Sequence, residues 1–222
     1  MVSSKSAPPA GAPTQNDPAE LLEVFDASGR STGRARSRAA IHLDGDWHLA
    51  FHCWILRRGG HEVVLQQRSA LKDTFPLRWD AAAAGHWRFG ESAEEASREI
   101  SEELGLSVEF EQLRRVRRER EDRAFANGLI DREFHEVYAL DWDAPLSSYR
   151  PDPGEVSALA AVSTAGLLEL VNGQREWLRA LEPADVTLRR EELVPYSAGR
   201  LRRLLARNLH PSEIVGNSNS LH

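Results

Sequence analysis

The strongest constraint on this chain is a set of three glutamates on one turn of a predicted helix. From Ser92 to Leu104 the apolar residues recur at three- and four-residue spacing, which predicts an amphipathic helix that Gly105 ends. Glu99, Glu102 and Glu103 stand at i, i+3 and i+4, so their carboxylates project from one face. Repulsion between such neighbours costs about 0.2–0.5 kcal/mol per pair. The helix therefore presents either a solvated acidic face or a cation-binding site.

Mg²⁺ suits the chemistry of these three side chains. It prefers oxygen ligands, keeps several water molecules and bridges to substrate phosphates. The alternative is that the glutamates only solvate the helix, because glutamate is a good helix former. The residues on either side of the helix favour the cation-binding site.

The three glutamates belong to a longer pattern of fixed residues. The segment resembles the Nudix box, G-x5-E-x7-R-E-U-x-E-E-x-G-U, in which U is a bulky apolar residue. The matching positions, in order, are Gly85, Glu91, Arg98, Glu99, Ile100, Glu102, Glu103, Gly105 and Leu106. Six residues separate Glu91 from Arg98 here, one fewer than in the family pattern. The shortening falls where the loop meets the first turn of the helix, and the half that carries the glutamates keeps its spacing.

The resemblance implies a Nudix α/β/α sandwich with a mixed sheet and extra C-terminal helices. It implies that Glu99 and Glu103 bind Mg²⁺, with Mn²⁺ as an alternative, together with the backbone carbonyl of Gly85. Glu102 is then a further ligand or the base for the attacking water, and Glu102 and Glu103 are the catalytic candidates. Glu91 and Arg98 form a structural pair within the box.

Residues outside the box extend the resemblance to the branch related to isopentenyl-diphosphate isomerase. The matching segments are His42–Ile55, Leu65–Ser69, Lys72, Pro76, Trp79–Asp80 and Ala84–His86. In the isomerase, His42, His48 and His86 would correspond to metal-binding histidines, although scattered histidines more often pack in a core. The isomerase carries its catalytic cysteine where this chain has Ala84, and alanine neither donates nor accepts a proton. We therefore expect a hydrolase rather than an isomerase.

Other candidate site residues lie upstream and downstream of the box. Arg68, Lys72 and His86 are predicted to bind substrate, because guanidinium and ammonium groups match phosphate oxygens; the first two are alternatively surface charges. Glu133 and Glu136 are candidates for a downstream metal ligand, and Glu136 fits the isomerase pattern better. The expected substrate is a small diphosphate linked to another group, with nucleoside diphosphates first and isoprenoid or thiamine diphosphates as alternatives. A nucleotide-binding regulator without turnover is the rival hypothesis.

Composition sets the class of protein. With 222 residues, 41% of them hydrophobic, the chain suits one domain over 20–208, between disordered tails at 1–19 and 209–222. A net charge of −6 argues against a nucleic-acid polymer as partner. No apolar run approaches a membrane span or signal peptide, and the single cysteine, Cys53, fits a reducing cytoplasm. A C-terminal helix over 197–208 could cover the site or build a homodimer.

Periodicity predicts the other elements. Strands are expected at 21–25, 48–56, 63–68, 108–116, 133–140 and 157–162. The second and third of these should pair antiparallel through the glycines of the turn between them. A helix is expected from Ser163 or Thr164 to Val171.

Overall fold

The computed structural model describes residues 17–196 and 198–205. Both predicted tails lie outside these residues, except for 17–19, where Asp17 Oδ1 accepts a hydrogen bond of 2.9 Å from the Ala19 amide. The strands are β1 (Leu21–Phe25), β2 (Ser31–Ser37), β3 (His48–Arg57), β4 (Glu62–Arg68), β5 (Trp79–Ala81), β6 (Ala83–His86), β7 (Arg114–Ala124), β8 (Ile130–Asp141), β9 (Val156–Ser163), β10 (Trp177–Arg179) and β11 (Thr187–Arg189). The helices are α1 (Arg38–Asp44), α2 (Ala93–Ala96), α3 (Arg98–Leu104), α4 (Thr164–Val171) and α5 (Ala198–Leu205).

A seven-stranded mixed sheet forms the centre of the fold. Its main path runs β5-β4-β3-β8-β7, while β6 pairs with β3 and β9 pairs with β4. Strands β3 and β8 are parallel, and every other pairing in this sheet is antiparallel. All ten residues of β3 are buried, as expected for a strand that is covered on both faces. This central strand therefore holds the elements that carry the site in fixed register.

Helices cover both faces of the sheet. On one face, Phe51, Cys53 and Ile55 of β3 pack with Ile100 and Leu104 of α3. On the other face, the apolar residues of β3, β4 and β9 pack with those of α4 and α5. This is the α/β/α sandwich that the sequence predicts. Within the described residues, no helix is long and apolar enough to cross a membrane.

Most of the predicted strands are confirmed. The strand at 21–25 forms a hairpin with β2, and β3 and β4 pair antiparallel through a turn in which Gly59 and Gly60 have left-handed φ values of 65° and 91°. The predicted helix over 164–171 is also confirmed, because the Ser163 side chain caps α4 by accepting from the Gly166 amide at 2.9 Å. The last helix is described over Ala198–Leu205, and the rest of its predicted span lies outside the described residues.

Two predicted elements are wrong in detail. The strand expected over 108–116 begins only at Arg114, because Phe110–Gln112 forms a 3-10 turn that a capping box with Glu109 closes. The single helix expected from Ser92 to Leu104 is interrupted at Ser97, whose hydroxyl donates to the Glu94 carbonyl at 2.6 Å. The interruption falls in the segment where the box is one residue short.

Candidate active site

Helix α3 carries two of its glutamates into the protein interior. It follows Ser97 and ends at Gly105, which adopts a left-handed φ of 65° and donates its N–H to the Ser101 carbonyl. Glu99 and Glu103 are 1% and 0% exposed, on the same face as Ile100 and Leu104. Burial raises the pKa of both carboxyl groups, and that of Glu103 to about 7. Two acidic groups are thus held together where water does not solvate them.

Gly85 makes room for the carboxyl group of Glu99. A Cβ at Gly85 would lie 2.3 Å from Glu99 Cδ and 2.4 and 2.5 Å from its two oxygens. Glu99 Oε1 accepts a hydrogen bond from Arg98, whereas Oε2 is buried without a hydrogen-bond partner. The absence of a side chain in β6 therefore allows this carboxylate to lie directly against the strand.

Glu103 is held beside the same strand. Its Oε2 accepts hydrogen bonds of 2.9 Å from both the Gln66 side chain and the Ala84 amide. Its Oε1 is buried without a hydrogen-bond partner, 3.6 Å from Lys72 Nζ. Because two buried oxygens, one from Glu99 and one from Glu103, lack donors beside a glycine, the arrangement fits a hard cation such as Mg²⁺.

Glu102 lies on a more exposed part of α3. Its side chain is 41% exposed, and its Oε2 lies 2.8 Å from Arg98 Nη1 and 3.9 Å from Arg88 Nη2. Arg98 also donates to Glu91 Oε1 through Nε at 2.8 Å, so the Glu91–Arg98 pair forms despite the shortened spacing. The structure thus brings Glu99 and Glu103 together at Gly85 and leaves Glu102 at the surface with Arg98.

A cavity of about 530 Å³ lies beside β6. Ala84, Gly85 and His86 line it, as do Arg68 and Lys72. Further lining comes from β3, β8 and the loop before β5, with His52, Glu133, His135 and Phe75 among these residues. Strand β6 therefore lines the cavity and also contacts the two buried glutamates, Glu99 and Glu103.

Both predicted phosphate-binding cations already have acidic partners. Arg68 Nη1 lies 3.0 Å from Asp80 Oδ2, and its other guanidinium nitrogens donate to Thr74. Lys72 is 8% exposed and forms an ion pair with Glu155. A phosphate group entering the cavity would compete with these carboxylates for the two cations.

Three histidines converge at the edge of the cavity. The ring centroids of His42, His48 and His86 are 4.9, 5.1 and 5.2 Å apart. Glu133 joins them, with Oε1 at 3.5 Å from His48 Nε2 and 3.4 Å from His86 Nε2. One ligand atom from each of the four residues lies within 4.8 Å of all the others. The histidines that the resemblance singled out are thus clustered in space around one carboxylate.

Hydrogen bonds orient two of these rings for ligation. His42 Nδ1 lies 2.9 Å from the Arg38 carbonyl, and His48 Nδ1 lies 3.1 Å from the Asp46 carbonyl. When Nδ1 donates this hydrogen bond, Nε2 keeps a lone pair that can bind a metal. Metal-bound histidines usually donate their other ring N–H in this way. Burial lowers the pKa of His42 to about 4, which keeps that ring neutral. In contrast, His86 Nδ1 faces Arg38 Nε at 3.4 Å, so ligation by His86 would require this contact to rearrange.

Carboxylates surround the histidine cluster. Asp131 Oδ1 is buried without a hydrogen-bond partner, 3.7 Å from His42 Nε2 and 3.8 Å from His48 Nε2. Burial and the neighbouring charge of Glu133 raise the pKa of Asp131 to about 7. Despite its burial, hydrogen bonds from His135 and the other rings hold the pKa of Glu133 well below its usual range. Despite its burial, the pKa of His48 is raised by its hydrogen bond to Glu133, whereas burial lowers the pKa of His42 and of His86. The cluster therefore combines an ionised carboxylate with imidazole nitrogens, a donor set that fits a divalent transition metal.

The structure does not bring Glu136 to this cluster. Glu136 stands three positions after Glu133 in β8 and so faces the other side of the sheet, where it accepts hydrogen bonds from Arg115 and Arg118. Glu133, the other candidate for the downstream ligand, is the one that joins the histidine cluster. Asp131, His52 and His135 were not among the predicted site residues. Only the two-residue alternation of β8, which puts Asp131, Glu133 and His135 on one face, pointed to the first and last of these.

Cys53 has no place in the cavity. It is 0% exposed and packs on the α3 side of β3, where burial raises the pKa of its thiol. Its register partner in β6 is Ala83, whereas Ala84 pairs with His52 and lines the cavity. The only thiol of the chain is thus on the opposite side of the sheet from the position that carries cysteine in the isomerase.

Comparison with known proteins agrees with this geometry. The NUDIX domain model matches residues 46–181. An uncharacterized Nudix hydrolase of Clostridium acetobutylicum is 35% identical over 157 residues, which cover 70% of this chain and 75% of the relative. An isopentenyl-diphosphate Δ-isomerase of Nocardia farcinica is 32% identical over 185 residues, which cover 81% of this chain and 99% of the relative.

A solved structure shows the same fold. The crystal structure of a Deinococcus radiodurans protein matches with a TM-score of 0.56 at 20% identity, covering 86% of this chain and 100% of that one. The sandwich, the box helix and the matched domain together define a Nudix fold. The chain belongs to the Nudix family, in the branch that also includes proteins similar to isopentenyl-diphosphate isomerase.

Proposed function

We propose that the protein is a Mg²⁺-dependent hydrolase that cleaves the phosphoanhydride of a diphosphate linked to another group. The observation that carries this proposal is the pair of buried carboxyl groups at Gly85, each with an oxygen that lacks a hydrogen-bond donor. The adjoining cavity supplies cationic side chains for a diphosphate. Phosphoanhydride hydrolysis needs charge neutralisation and an activated water, and this donor set suits both.

The residues would divide the chemistry as follows. Glu99, Glu103 and the Gly85 carbonyl would hold Mg²⁺, which supplies charge neutralisation at the leaving phosphate and a more acidic bound water. Glu103 is the stronger of the two catalytic candidates, because it is buried beside β6 with an oxygen that lacks a hydrogen-bond partner, whereas the Glu102 side chain is 41% exposed. Arg68 and Lys72 would bind phosphate oxygens on releasing their carboxylate partners. His86 would bind substrate or a second divalent cation.

The cluster of His42, His48, His86 and Glu133 is proposed as a separate metal site. Imidazole and carboxylate ligands suit Mn²⁺, Zn²⁺ or Co²⁺ better than Mg²⁺, which prefers oxygen ligands throughout. The oxygen ligands at Gly85 and the imidazole ligands of the histidine cluster therefore predict that Mg²⁺ and the transition-metal cations bind at different places.

The cavity volume of about 530 Å³ fits a small-molecule substrate. Nucleoside diphosphates are the first class to test, followed by isoprenoid and thiamine diphosphates, which contain the same bond. A nucleic-acid polymer is not proposed as a partner, whereas a homodimer through the C-terminal helix remains a proposal for solution measurements.

Isomerisation of an allylic or homoallylic diphosphate is the second candidate, because several relatives carry that name. It requires a proton donor and acceptor on opposite faces of the carbon skeleton. Ala84 supplies neither, and Cys53 is buried across the sheet. We therefore expect no isomer after incubation with isopentenyl diphosphate, as checked by product chromatography; turnover there would favour the isomerase.

The hydrolase proposal predicts Mg²⁺-dependent product release. Purified protein is incubated with a panel of nucleoside, isoprenoid and thiamine diphosphates, and phosphate and the monophosphate product are quantified. We expect release with Mg²⁺ or Mn²⁺ and none after chelation. Tight nucleotide binding by calorimetry, with no product after long incubation with either cation, would instead establish the regulator.

Glu102→Gln is expected to reduce the hydrolysis rate by less than about tenfold, below the loss of about 10–100-fold that is typical for a residue that positions a metal ligand. Glu102 is 41% exposed and contacts Arg98 rather than Gly85, so its loss leaves the buried carboxyl pair intact. Steady-state kinetics at saturating Mg²⁺ would measure the effect. A loss of about 10²–10⁴-fold would instead identify Glu102 as the general base.

A further inference from the structure

His52 and His135 form a pair that the proposed function does not use. They lie on neighbouring strands β3 and β8, with ring centroids 4.0 Å apart and ring planes inclined by only 15°. Both are buried, at 8% and 6% exposure, and both line the cavity. Two imidazoles thus point side by side from the sheet toward the space where substrate would bind.

The carboxylate of Glu133 lies between this pair and the three-histidine cluster. Its Oε1 faces His48 and His86 at 3.5 and 3.4 Å, whereas its Oε2 lies 2.7 Å from His135 Nε2. Ligand atoms of His52, Glu133 and His135 all lie within 4.8 Å of one another. One carboxylate therefore offers a separate oxygen to each group of histidines, which is the arrangement of a bridging ligand.

We propose that His52, His135 and Glu133 Oε2 form a second metal site, joined to the three-histidine site through Glu133. Two imidazoles and one carboxylate are the ligands of many catalytic Zn²⁺ centres, which keep a fourth position open for water or substrate. Here the open side faces the cavity, because all three residues line it. The site would take a borderline divalent cation such as Zn²⁺ or Co²⁺, and its open position suits a phosphate oxygen.

The surrounding charge is compatible with two neighbouring cations. Asp131 adds a buried carboxyl group whose Oδ1 has no hydrogen-bond partner. Asp80, which is 4% exposed, lines the same cavity as His52. A hydrogen bond from His135 to Glu133 with simple ring stacking is the alternative, and it predicts no ligand at the open side. The second site shares Glu133 with the proposed three-histidine site and therefore rests on it. The test is designed so that failure of the second site and failure of the three-histidine site give different results.

The test is the number of Co²⁺ ions that the full chain retains. Protein stripped with a chelator is loaded with excess Co²⁺, desalted and analysed for metal content, with the visible absorption spectrum recorded. Glu99→Gln/Glu103→Gln serves as the background, so that the buried glutamate pair does not contribute. We expect two ions per chain in this background and one after His52→Gln or His135→Gln. His61→Ala, on the exposed turn between β3 and β4, is the matched control and should retain two.

Bridging has its own signature. With two Mn²⁺ ions bound, electron paramagnetic resonance should show exchange coupling, and either His52→Gln or His135→Gln should leave an uncoupled single-ion spectrum. Circular dichroism establishes that each variant is folded. One ion in the background chain, unchanged by both substitutions, would overturn the second site while keeping the first. If the background chain holds one ion and His135→Gln removes it, the two proposed sites are replaced by a single enlarged site, and no bound ion in the background chain would contradict both sites.

Discussion

Glu103→Gln is expected to lower Mg²⁺-dependent hydrolysis by about 10³-fold, as loss of a metal ligand removes several kcal/mol of transition-state stabilisation. Glutamine keeps an oxygen for the hydrogen bonds from Gln66 and the Ala84 amide. It replaces the anionic Oε1, which has no hydrogen-bond partner, with an uncharged group. The variant therefore tests the charge of this side chain with little change in its shape.

The same substitution is expected to stabilise the metal-free protein at alkaline pH. Burial raises the pKa of Glu103 in the folded protein to about 7, above its ordinary value of 4.5. The folded chain thus binds more protons than the unfolded chain between these values, and the free energy of unfolding falls as pH rises through that window. Glutamine has no such proton to lose. At pH 8 we expect the variant to exceed the parent by about 3 kcal/mol relative to their difference at pH 4.

Urea denaturation at pH 4 and pH 8 in the presence of chelator measures this difference. Glu102→Gln is the matched control, because it removes the same charge from an exposed position on the same helix. Parallel stability curves for Glu103→Gln and the parent would contradict the raised pKa, and parental turnover would contradict the catalytic assignment. The expected combination of higher stability with lost activity distinguishes a metal-site carboxylate from a structural one.

The sequence predicted the layers of the fold because its periodicities are local. The alternation in β4 and the three- and four-residue spacing in α4 each depend on a few neighbouring residues. The 3-10 turn at Phe110–Gln112 was missed because Phe110 and the flanking Val108 and Leu113 pack on the core without a partner strand. Apolar spacing alone does not distinguish a strand from an extended segment that turns.

The site was only partly predictable for a different reason. The box glutamates are close in sequence, so their shared helix face follows from helix geometry. Glu133 and Glu136 were both candidates for the downstream metal ligand. Only the parallel register of β3 with β8 decides which of them faces His48. Similarly, the contact of His52 with His135 depends on that register. Such contacts arise from strand pairing across more than 80 residues, which no local pattern encodes.

Gly85→Ala is expected to reduce Mg²⁺ affinity and turnover by about 10²-fold, the scale of losing the support of a metal ligand. An ideal Cβ would lie 2.3 Å from Glu99 Cδ, far inside van der Waals contact, so the carboxylate must move away from β6. Gly85 has no positive φ, and the backbone therefore accepts alanine without strain. The expected loss thus arises from displacement of Glu99 alone.

Mn²⁺ titration followed by electron paramagnetic resonance, in a His48→Gln/His135→Gln background that removes a ligand from each histidine site, measures this displacement, together with the Mg²⁺ dependence of the steady-state rate. Gly154→Ala is the matched control: its φ is also not positive, and its Cβ would meet only the Asp152 side chain, with Oδ1 at 3.3 Å and Cγ at 3.9 Å. Adding Glu99→Asp to Gly85→Ala shortens the displaced side chain by one methylene, and recovery of Mn²⁺ affinity in the double variant would identify the steric cause. If Gly85→Ala binds Mn²⁺ as tightly as the parent, the close approach of Glu99 to β6 is not required for the metal, and the ligand set proposed at Gly85 is wrong.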